Sequence, residues 1–390
     1  MIERRLPGQT TILPASQYRR RILLYTIGQL GDSVIALPAL WAIRAAHRDA
    51  YIALLTNSHG SDGSASAPAV LPREGLFQDV ISYPPGDQRS LRSAVLLLRD
   101  LRRRRFDTLV YLAPRRRTRA QIWRDLLFFR LTGIREFIGH RGFVPLPERV
   151  PISGPPLLQH EADHLLSRLA ASGIGVPPSG QGCMDLGLAS KEIEAAQKWL
   201  RFHASAAQGR PLVGVGPGSA MPSKTWPEEN YSRLGASLVA DFDVFPVVFG
   251  SAQDRALGDR LTARWARGAN AAGSLDVREA AAALSLCRFY VGNDTGTMHL
   301  AAAVGTPCVA VFSARDWPGR WYPYGPGHVV LRRSPPCQGC FLYDCTQRGR
   351  QCLTEIRVAE VLAACRSALE ADNRQVPTPR CESKLRAPEN

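Results

Sequence analysis

The sequence predicts an α/β protein made of two doubly wound halves, each a parallel sheet with helices on both faces. Short β-branched apolar runs alternate along the chain with helix-length amphipathic stretches. The alternation pauses in a Pro/Gly-rich stretch at residues 173–182 and then restarts. In each half a glycine-containing loop follows the first strand, at residues 28–33 and 215–227. Ligands of such folds bind where these loops meet.

The elements are predicted from these periodicities. Pro38 is expected to bend the first helix near its start, and the helix at 91–105 has an arginine-rich exposed face. In the first half we expect strands at 21–27, 51–56 and 106–113, and helices at 33–47, 91–105, 120–131 and 161–172. In the second half we expect strands at 211–218, 245–250, 288–293 and 307–313, and helices at 189–202, 228–240, 253–267, 276–286 and 354–370, with a further helix opening after residue 293.

The predicted organisation has four segments. A basic flexible leader covers residues 1–20, and a first domain covers 21–182 with a Ser/Gly/Ala-rich loop at 58–70. A second domain covers 183–370, and a disordered polar tail covers 371–390.

Composition indicates an ordinary globular protein. Of its 390 residues 45% are hydrophobic and 21% are charged, and no apolar run approaches the ~20 residues that span a bilayer. The N-terminus has no apolar signal region, so we expect a cytoplasmic protein. Its net charge of +15, mostly from arginine, suits an anionic partner, although genomic base bias also enriches arginine. Without a zinc finger, RNP-like strand or long basic helix, nucleic acid is not expected.

Four cysteines form a compact C-x2-C-x4-C-x6-C pattern. Such spacing can hold a metal ion, but it is not that of a standard zinc module. The alternatives are free thiols, or disulfides if the protein is oxidised. The residues are Cys337, Cys340, Cys345 and Cys352.

The stretch YVGNDTGTMHLAAA at residues 290–303 is the most informative in the chain. A short apolar strand runs into a small-residue helix, whose first N–H groups form an anion site together with the helix dipole. Asp294 or Thr295 can cap this helix, and Thr295 and His299 share one face. The alternative is an ordinary capped helix with one exposed histidine.

Acidic residues follow two of the predicted strands. Asp32 lies in the loop GQLGDS, where Gly28 and Gly31 permit a tight turn and a close approach to a ligand. A carboxylate at the end of a first strand faces the cleft of a doubly wound domain. Asp254 in FGSAQD can accept hydrogen bonds from ribose hydroxyls. For both residues, capping the next helix is an equally good interpretation.

The loop VGPGSAMPSKTWP offers a set of groups suited to a diphosphate. Gly218 supplies flexible backbone, Ser219 and Ser223 supply hydroxyls, and Lys224 supplies a compact cation. A solvated lysine is the simpler interpretation, but the adjacent Trp-Pro pair restrains the loop and favours a positioned side chain.

Three motifs together resemble the heptosyltransferases of glycosyltransferase family 9: GDSVIALPAL, PGSAMPSKTWPEENY and NDTGTMHLAAAVGTPCVAVF. With weaker similarities in RRRRFDTLVYL, TGIREFIGH and the Cys-rich run, the resemblance spans residues 21–370. It implies a GT-B fold of two Rossmann-like domains, with acceptor on the first and nucleotide sugar on the second. It also implies inverting transfer from ADP-L-glycero-D-manno-heptose to the lipopolysaccharide inner core, with no cofactor and no obligatory metal.

The resemblance also implies roles for individual residues. Asp32 matches the proposed general base, and Lys224 the lysine that contacts the diphosphate. Gly31, Arg115, Arg116, Arg117 and the 58–70 loop lie where the acceptor is expected. Donor binding is implied for Asp254, in place of a ribose-binding glutamate, and for Asp294, Thr295, Gly296 and His299, together with Gly218, Ser219 and Ser223 of the lysine loop.

The expected partners are a nucleotide-sugar donor and an anionic lipid-linked glycan, with peripheral contact at the cytoplasmic face of the inner membrane. Three alternatives remain. The first is a GT-B enzyme with another nucleotide sugar or glycan acceptor. The second is a non-catalytic nucleotide-sugar-binding or lipid A-core-binding protein, which the joint presence of Asp32, Lys224 and Asp294 disfavours. The third is an aspartic protease, suggested by Asp-Thr-Gly, but that motif requires a β-rich lobe rather than a helix start.

Overall fold

The computed structural model describes residues 18–58, 67–72, 74–84, 90–147, 156–346 and 348–371. The predicted disordered tail lies outside these residues except for Ala371, and so do most of the predicted leader and of the 58–70 loop. Within the described ranges no helix combines the length and apolar character needed to cross a bilayer.

The first half contains a five-stranded parallel sheet of order β3-β2-β1-β4-β5. Its strands are β1 (Arg21–Tyr25), β2 (Tyr51–Asn57), β3 (Asp79–Tyr83), β4 (Thr108–Tyr111) and β5 (Glu136–Ile138). Its helices are α1 (Leu30–Ile35), α2 (Leu37–Ala46), α3 (Ala67–Val70), α4 (Leu91–Arg104), α5 (Arg119–Leu131) and α6 (Glu161–Ala170).

The second half contains a six-stranded parallel sheet of order β11-β10-β9-β6-β7-β8. Its strands are β6 (Leu212–Gly216), β7 (Phe245–Val248), β8 (Ala269–Asn270), β9 (Phe289–Asn293), β10 (Cys308–Phe312) and β11 (Val329–Arg332). Its helices are α7 (Ser190–His203), α8 (Glu228–Phe242), α9 (Arg255–Trp265), α10 (Val277–Leu284), α11 (Gly296–Ala303), α12 (Gln351–Thr354) and α13 (Val358–Glu370).

The predicted α/β architecture of two parallel sheets is confirmed. Three helices differ from prediction. The stretch expected as a single helix at 33–47 is divided into α1 and α2, α3 occupies the end of the stretch expected as a loop at 58–70, and α12 was not predicted. The chain turns at Ala36, and Pro38 occupies the second position of α2. Proline has no N–H to continue the α1 hydrogen bonds, but it is tolerated in the first turn of a new helix.

The two halves meet through glycines of α1 and α11. A Cβ on Gly31 would lie 3.0 Å from the His299 ring, and a Cβ on Gly296 would lie 2.6 Å from the Leu30 side chain. Larger residues at either glycine would therefore separate the halves. One apolar cluster continues from the first sheet into the second across this contact. The loop after β1 and the loop after β9 are thereby brought together, whereas the domain limits at 182/183 stay a prediction.

Candidate active site

The N-terminus of α11 lies at the carboxyl end of β9. Thr295 occupies the N-cap position with extended backbone, and its side chain makes no capping hydrogen bond. Its hydroxyl instead lies 2.9 Å from that of Thr297, which lies 2.8 Å from the Tyr290 hydroxyl. Since the first helical N–H groups have no partner within a helix, this end of α11 can bind an oxyanion.

Asn293 connects this helix start to the lysine loop, a role that the sequence analysis missed. Its fully buried side-chain oxygen accepts hydrogen bonds from the Trp226 backbone N–H at 3.1 Å and from the Tyr231 hydroxyl at 2.9 Å. Its amide nitrogen donates to the Pro217 carbonyl at 2.8 Å. A single side chain thus fixes the loop after β6 against the end of β9. The only sequence signal was the position of Asn293 directly before the Asp-Thr-Gly motif.

Lys224 ends a 3₁₀ turn, Pro222–Lys224, and its ammonium group lies 2.7 Å from a carboxylate oxygen of Asp294. Asp294 is buried and Lys224 is 17% exposed along its side chain. Trp226 is fully buried with its indole N–H on the Ile356 carbonyl, so the loop beyond Lys224 is anchored. The structure therefore places a restrained cation beside the start of α11.

Asp32 lies at the third position of α1, on the first half. One carboxylate oxygen accepts a hydrogen bond from the Gln29 backbone N–H at 2.8 Å, which is the contact that the capping interpretation requires. Burial nevertheless raises the pKa of Asp32; the nearby Glu161 carboxylate also raises it, whereas the Gln29 N–H, Arg320 and Lys224 lower it. A carboxylate with a raised pKa is a stronger proton acceptor, which suits general-base chemistry.

Gly28 makes this position of Asp32 possible. Its φ is +148°, and a Cβ built there would lie 2.3 Å from the Asp32 Cβ. The backbone conformation and the close approach both require glycine.

A buried ionic network that the sequence analysis did not find lies beside Asp32. The Arg320 guanidinium donates to Glu161 at 2.9 Å and to Asp316 at 3.1 Å, and the Arg115 backbone N–H donates to Glu161 at 3.0 Å. Burial alone raises the pKa of Glu161, but Arg320 and Arg115 hold it below its usual value, so Glu161 is ionised. Because Glu161 and Arg320 are 159 residues apart, no local pattern announced this pair.

His299 faces the first half from α11 and is buried, not exposed. Its Nε2 lies 4.0 Å from an Asp294 oxygen, and its Nδ1 has no hydrogen-bond partner within the described part of the chain. Burial, with His160 and Lys224 nearby, lowers the pKa of His299 well below its usual value. A neutral imidazole thus lies between the two halves, and the buried Nδ1 is the ring nitrogen whose hydrogen-bonding capacity the described residues do not use.

Several predicted binding residues are occupied by contacts within the protein. Ser223 donates its hydroxyl to the Leu342 carbonyl at 2.7 Å. Ser219 accepts the Met221 N–H at 3.1 Å. Asp254 accepts from both the N–H and the hydroxyl of Ser251 at 2.8 Å, as a helix cap. Asp254 also lies against Gly218, where a Cβ would come within 2.0 Å of its carboxylate.

The three predicted acceptor arginines differ in availability. Arg115 is buried beside Glu161, and Arg117 lies 2.9 Å from Asp125. Arg116 is exposed, with its guanidinium 4.8 Å from the ring centre of Phe341 in the second half. Arg116 is therefore the one of the three whose charge faces outward.

The four clustered cysteines are free and partly buried. Within the described ranges, no group of three or more cysteine, histidine or acidic side chains has the arrangement of a metal site. Burial raises the pKa of the Cys352 thiol, as do the neighbouring Cys337, Cys345 and Cys340 sulfurs. In the structure these four cysteines are thus free thiols, which is one of the alternatives that the sequence left open.

The space next to Asp32 is small. A cavity of about 20 Å³, enough for one water molecule, is lined by residues including Thr26, Asp32, Glu161 and Trp321. The Thr26 hydroxyl has no hydrogen-bond partner in the described part of the protein. A wider depression of about 720 Å³ lies at the opposite edge of the second sheet, where strands begin, and contains none of the predicted site residues.

Comparison with known proteins shows similarity in family and in fold. Residues 168–350 match the family described as Glycosyltransferase family 9 (heptosyltransferase). Lipopolysaccharide heptosyltransferase 2 of Salmonella typhimurium is 37% identical over 112 residues, covering 26% of this chain and 31% of that protein. The alignments with the curated relatives span 31–40% of their lengths, so the chain matches about a third of each.

Solved structures share the fold over nearly the whole chain. E. coli ADP-heptose lipopolysaccharide heptosyltransferase II has a TM-score of 0.63 at 22% identity, covering 90% of this chain and 98% of that one. An E. coli heptosyltransferase with ADP-2-deoxy-2-fluoro heptose has a TM-score of 0.61 at 19% identity, covering 89% and 99%. The GT-B architecture expected from the sequence is confirmed.

Proposed function

We propose that this chain is a heptosyltransferase of glycosyltransferase family 9, and that it transfers a heptose from ADP-L-glycero-D-manno-heptose to the inner core of lipopolysaccharide. The observation that carries the proposal is the meeting of two loops from different halves. Asp32 follows β1, while Lys224, Asp294 and the start of α11 surround the end of β9. A base and an anion site on opposite sides of one cleft are the parts that group transfer between a nucleotide sugar and an alcohol needs.

In the proposed reaction the Asp32 carboxylate accepts the proton of the acceptor hydroxyl. The acceptor oxygen attacks the anomeric carbon of the heptose from the side opposite the diphosphate. The bond between that carbon and the diphosphate oxygen breaks, and ADP leaves, so the configuration inverts. The raised pKa of Asp32, caused first by burial, supports its role as the base.

The negative charge that grows on the leaving diphosphate is stabilised by Lys224 and the N–H groups at Thr295 and Gly296. A helix N-terminus and a neighbouring cation are the two fixed positive groups that such a site uses. The neutral His299 imidazole adds a hydrogen-bonding group from the same helix. On this proposal the protein supplies all the positive charge that the step requires, and the reaction is independent of metal ions and cofactors.

The proposed acceptor is anionic and lipid-linked, and the reaction takes place at the cytoplasmic face of the inner membrane. The excess of arginine supports this choice, since phosphorylated core sugars and an anionic leaflet both attract positive charge. Exposed Arg116 is the proposed acceptor contact on the first half.

A panel of ADP-, GDP- and UDP-sugars tests the proposal. We expect transfer to a heptose-accepting core with ADP-heptose only, and undiminished transfer in EDTA. Transfer from a UDP- or GDP-sugar at a comparable rate would instead identify a GT-B enzyme with another donor. Binding of ADP-heptose without any transfer would identify a non-catalytic nucleotide-sugar-binding protein.

A further inference from the structure

Two neighbouring helices of the first half carry large apolar side chains that point away from the protein. On α5, Trp123, Leu127 and Leu131 are 74%, 61% and 57% exposed and follow one another at intervals of four residues. Such spacing places them on one face of the helix. Exposed apolar rows of this kind mark interaction surfaces more often than chance.

Helix α4 has a similar face. Leu91 is 88% exposed, and Val95 and Leu96 are also exposed. Both helices use their opposite faces to cover the same side of the first sheet, through Leu101 and Phe129 among other residues. The exposed rows of α4 and α5 therefore lie on the outer surface of one helical layer, here called the α4–α5 face.

The α4–α5 face is strongly positive. The stretch 91–131 contains twelve arginines, three aspartates and no lysine or glutamate, which is a net +9 of the protein's +15. Asp125 is buried against Arg117, and Asp100 is paired with Arg104 at 2.9 Å. The carboxylates thus neutralise neighbours and leave exposed arginines around the apolar rows: Arg92, Arg99, Arg102, Arg103, Arg119 and Arg130.

The position of this face relates it to the candidate active site. Helices α4 and α5 directly follow β3 and β4, so their first turns lie at the carboxyl edge of the sheet, as does the Asp32 loop after β1. Exposed Arg116 lies between β4 and α5 at the same edge. A flat partner on the α4–α5 face would consequently border the cleft.

We propose that the α4–α5 face docks the protein on an anionic lipid bilayer. Trp123, Leu127 and Leu91 insert at the level of the headgroups, and the arginines contact lipid phosphates. Nucleic acid would match the charge but would leave the apolar rows in water. A second copy of the chain would match the apolar rows but would bring two arginine-rich, positively charged faces together. The bilayer alone satisfies both features.

This inference deepens the proposed function, because a lipid-linked acceptor requires the cleft to reach a membrane. Binding is nevertheless measured without transfer, so the two proposals can fail separately. The test is flotation with vesicles of phosphatidylcholine alone and of phosphatidylcholine with 30% phosphatidylglycerol, monitored also by tryptophan fluorescence. We expect binding to the anionic vesicles that decreases steeply with salt.

Matched variants locate the surface. Trp123→Ser/Leu127→Ser and, separately, Arg102→Glu/Arg103→Glu should each lower vesicle binding at least fivefold. The controls are Phe202→Ser, at a side chain 78% exposed on α7, and Lys191→Glu/Lys198→Glu, at two exposed lysines of the same helix. These controls change the same kinds of group in the second half and should bind vesicles normally.

The following results of the binding experiments would overturn the inference. Equal losses in the control variants would mean that membrane contact is not specific to the α4–α5 face. No binding to anionic vesicles, binding to a single-stranded oligonucleotide that the Trp123 variant retains, or a Trp123-dependent dimer in sedimentation analysis would each assign the face to something else. Transfer to a water-soluble acceptor should be unchanged in the Trp123/Leu127 variant, so loss of that activity would point to misfolding, which circular dichroism checks.

Discussion

Lys224 and Asp294 form a short ion pair at the start of α11, with 2.7 Å between the ammonium nitrogen and a carboxylate oxygen. Asp294 thereby holds the lysine where the diphosphate is proposed to lie. The same carboxylate would repel a diphosphate if the lysine were absent. In this pair Asp294 positions the Lys224 side chain, and Lys224 neutralises the negative charge of Asp294.

Three variants separate these two roles: Lys224→Ala, Asp294→Asn and the double variant that combines them. Lys224→Ala should lower kcat/KM about 100-fold or more, since it removes a cation and leaves a bare carboxylate beside the donor. Lys224→Ala/Asp294→Asn should be more active than Lys224→Ala alone, because the repulsive charge is gone. Steady-state kinetics with ADP-heptose measure this. If Asp294→Asn instead lowers kcat/KM by the same factor in the Lys224→Ala variant as in the wild type, the two side chains act independently.

Gly28 should be irreplaceable because it supports Asp32. We expect Gly28→Ala to lower kcat more than tenfold, since the new Cβ would displace the Asp32 side chain. Gly209→Ala is the control, as Gly209 also has a positive φ of +83° but no atom within 4 Å of an added Cβ. If both variants lose turnover equally, backbone strain and not the Asp32 contact explains the effect.

Asn293 should contribute strongly to stability. Asn293→Ala leaves the Trp226 backbone N–H and the Tyr231 hydroxyl without the acceptor that they share. We expect this to lower the free energy of unfolding by about 2–5 kcal/mol. Urea titration of the wild type and the variant measures this loss. Asn230→Ala, on α8, is the control and should change stability by less than about 1 kcal/mol. A loss below that value for Asn293→Ala would show that the two loops are held together by other contacts.

Buried histidines should make the protein less stable in mild acid. Burial lowers the pKa of His328 to about 4 and that of His164 to about 3. Because the unfolded state binds protons first, their contribution is complete above a pH of about 6.5 and is lost as pH falls towards these values. Each adds a slope of about 1.4 kcal/mol per pH unit within that window.

The pH dependence of unfolding in urea checks this expectation. His328→Gln should flatten the decline between pH 6 and 4, whereas His203→Gln, at an exposed histidine of α7, should leave it unchanged. A decline that is identical in all three proteins would assign the acid sensitivity to other groups.

Sequence periodicity identified every interior strand and no edge strand. The four strands that it missed, β3, β5, β8 and β11, are the two edges of each sheet. Interior strands are buried on both faces and appear as continuous apolar runs, whereas β11 has no buried residue and β8 has two residues in all. Local patterns cannot detect a strand whose stability comes from a single neighbour.

The candidate site divides in the same way. Asp32, Lys224, Asp294 and His299 could be found because each lies in a local motif. Glu161, with its partner Arg320, could not, since their contact depends on how the halves fold together. Arg115 and Arg117 were assigned to the acceptor because the family resemblance places them where the acceptor is expected, but their position in the sequence does not reveal the internal carboxylates that pair with them.

Glu161 should influence the pKa of Asp32, the proposed general base. Its carboxylate raises the pKa of Asp32, after the larger effect of burial. Glu161→Gln should therefore shift the acid limb of the kcat/KM profile to lower pH, because Asp32 would stay deprotonated further into acid. The profile is measured together with the melting temperature, since the variant also removes the buried ion pair between Glu161 and Arg320 and leaves Arg320 with Asp316 as its remaining acidic partner among the described residues. An unchanged or upward-shifted acid limb in a folded variant would contradict electrostatic coupling between Glu161 and Asp32.

The most direct test of the account is Asp32→Asn, measured by single-turnover transfer from ADP-heptose and by calorimetry of donor binding. The amide cannot accept a proton, so we expect the transfer rate to fall at least 100-fold. The affinity for ADP-heptose should stay within about threefold, because the diphosphate is held from the other half. Near-normal transfer by Asp32→Asn would show that Asp32 only caps α1 and that another group activates the acceptor.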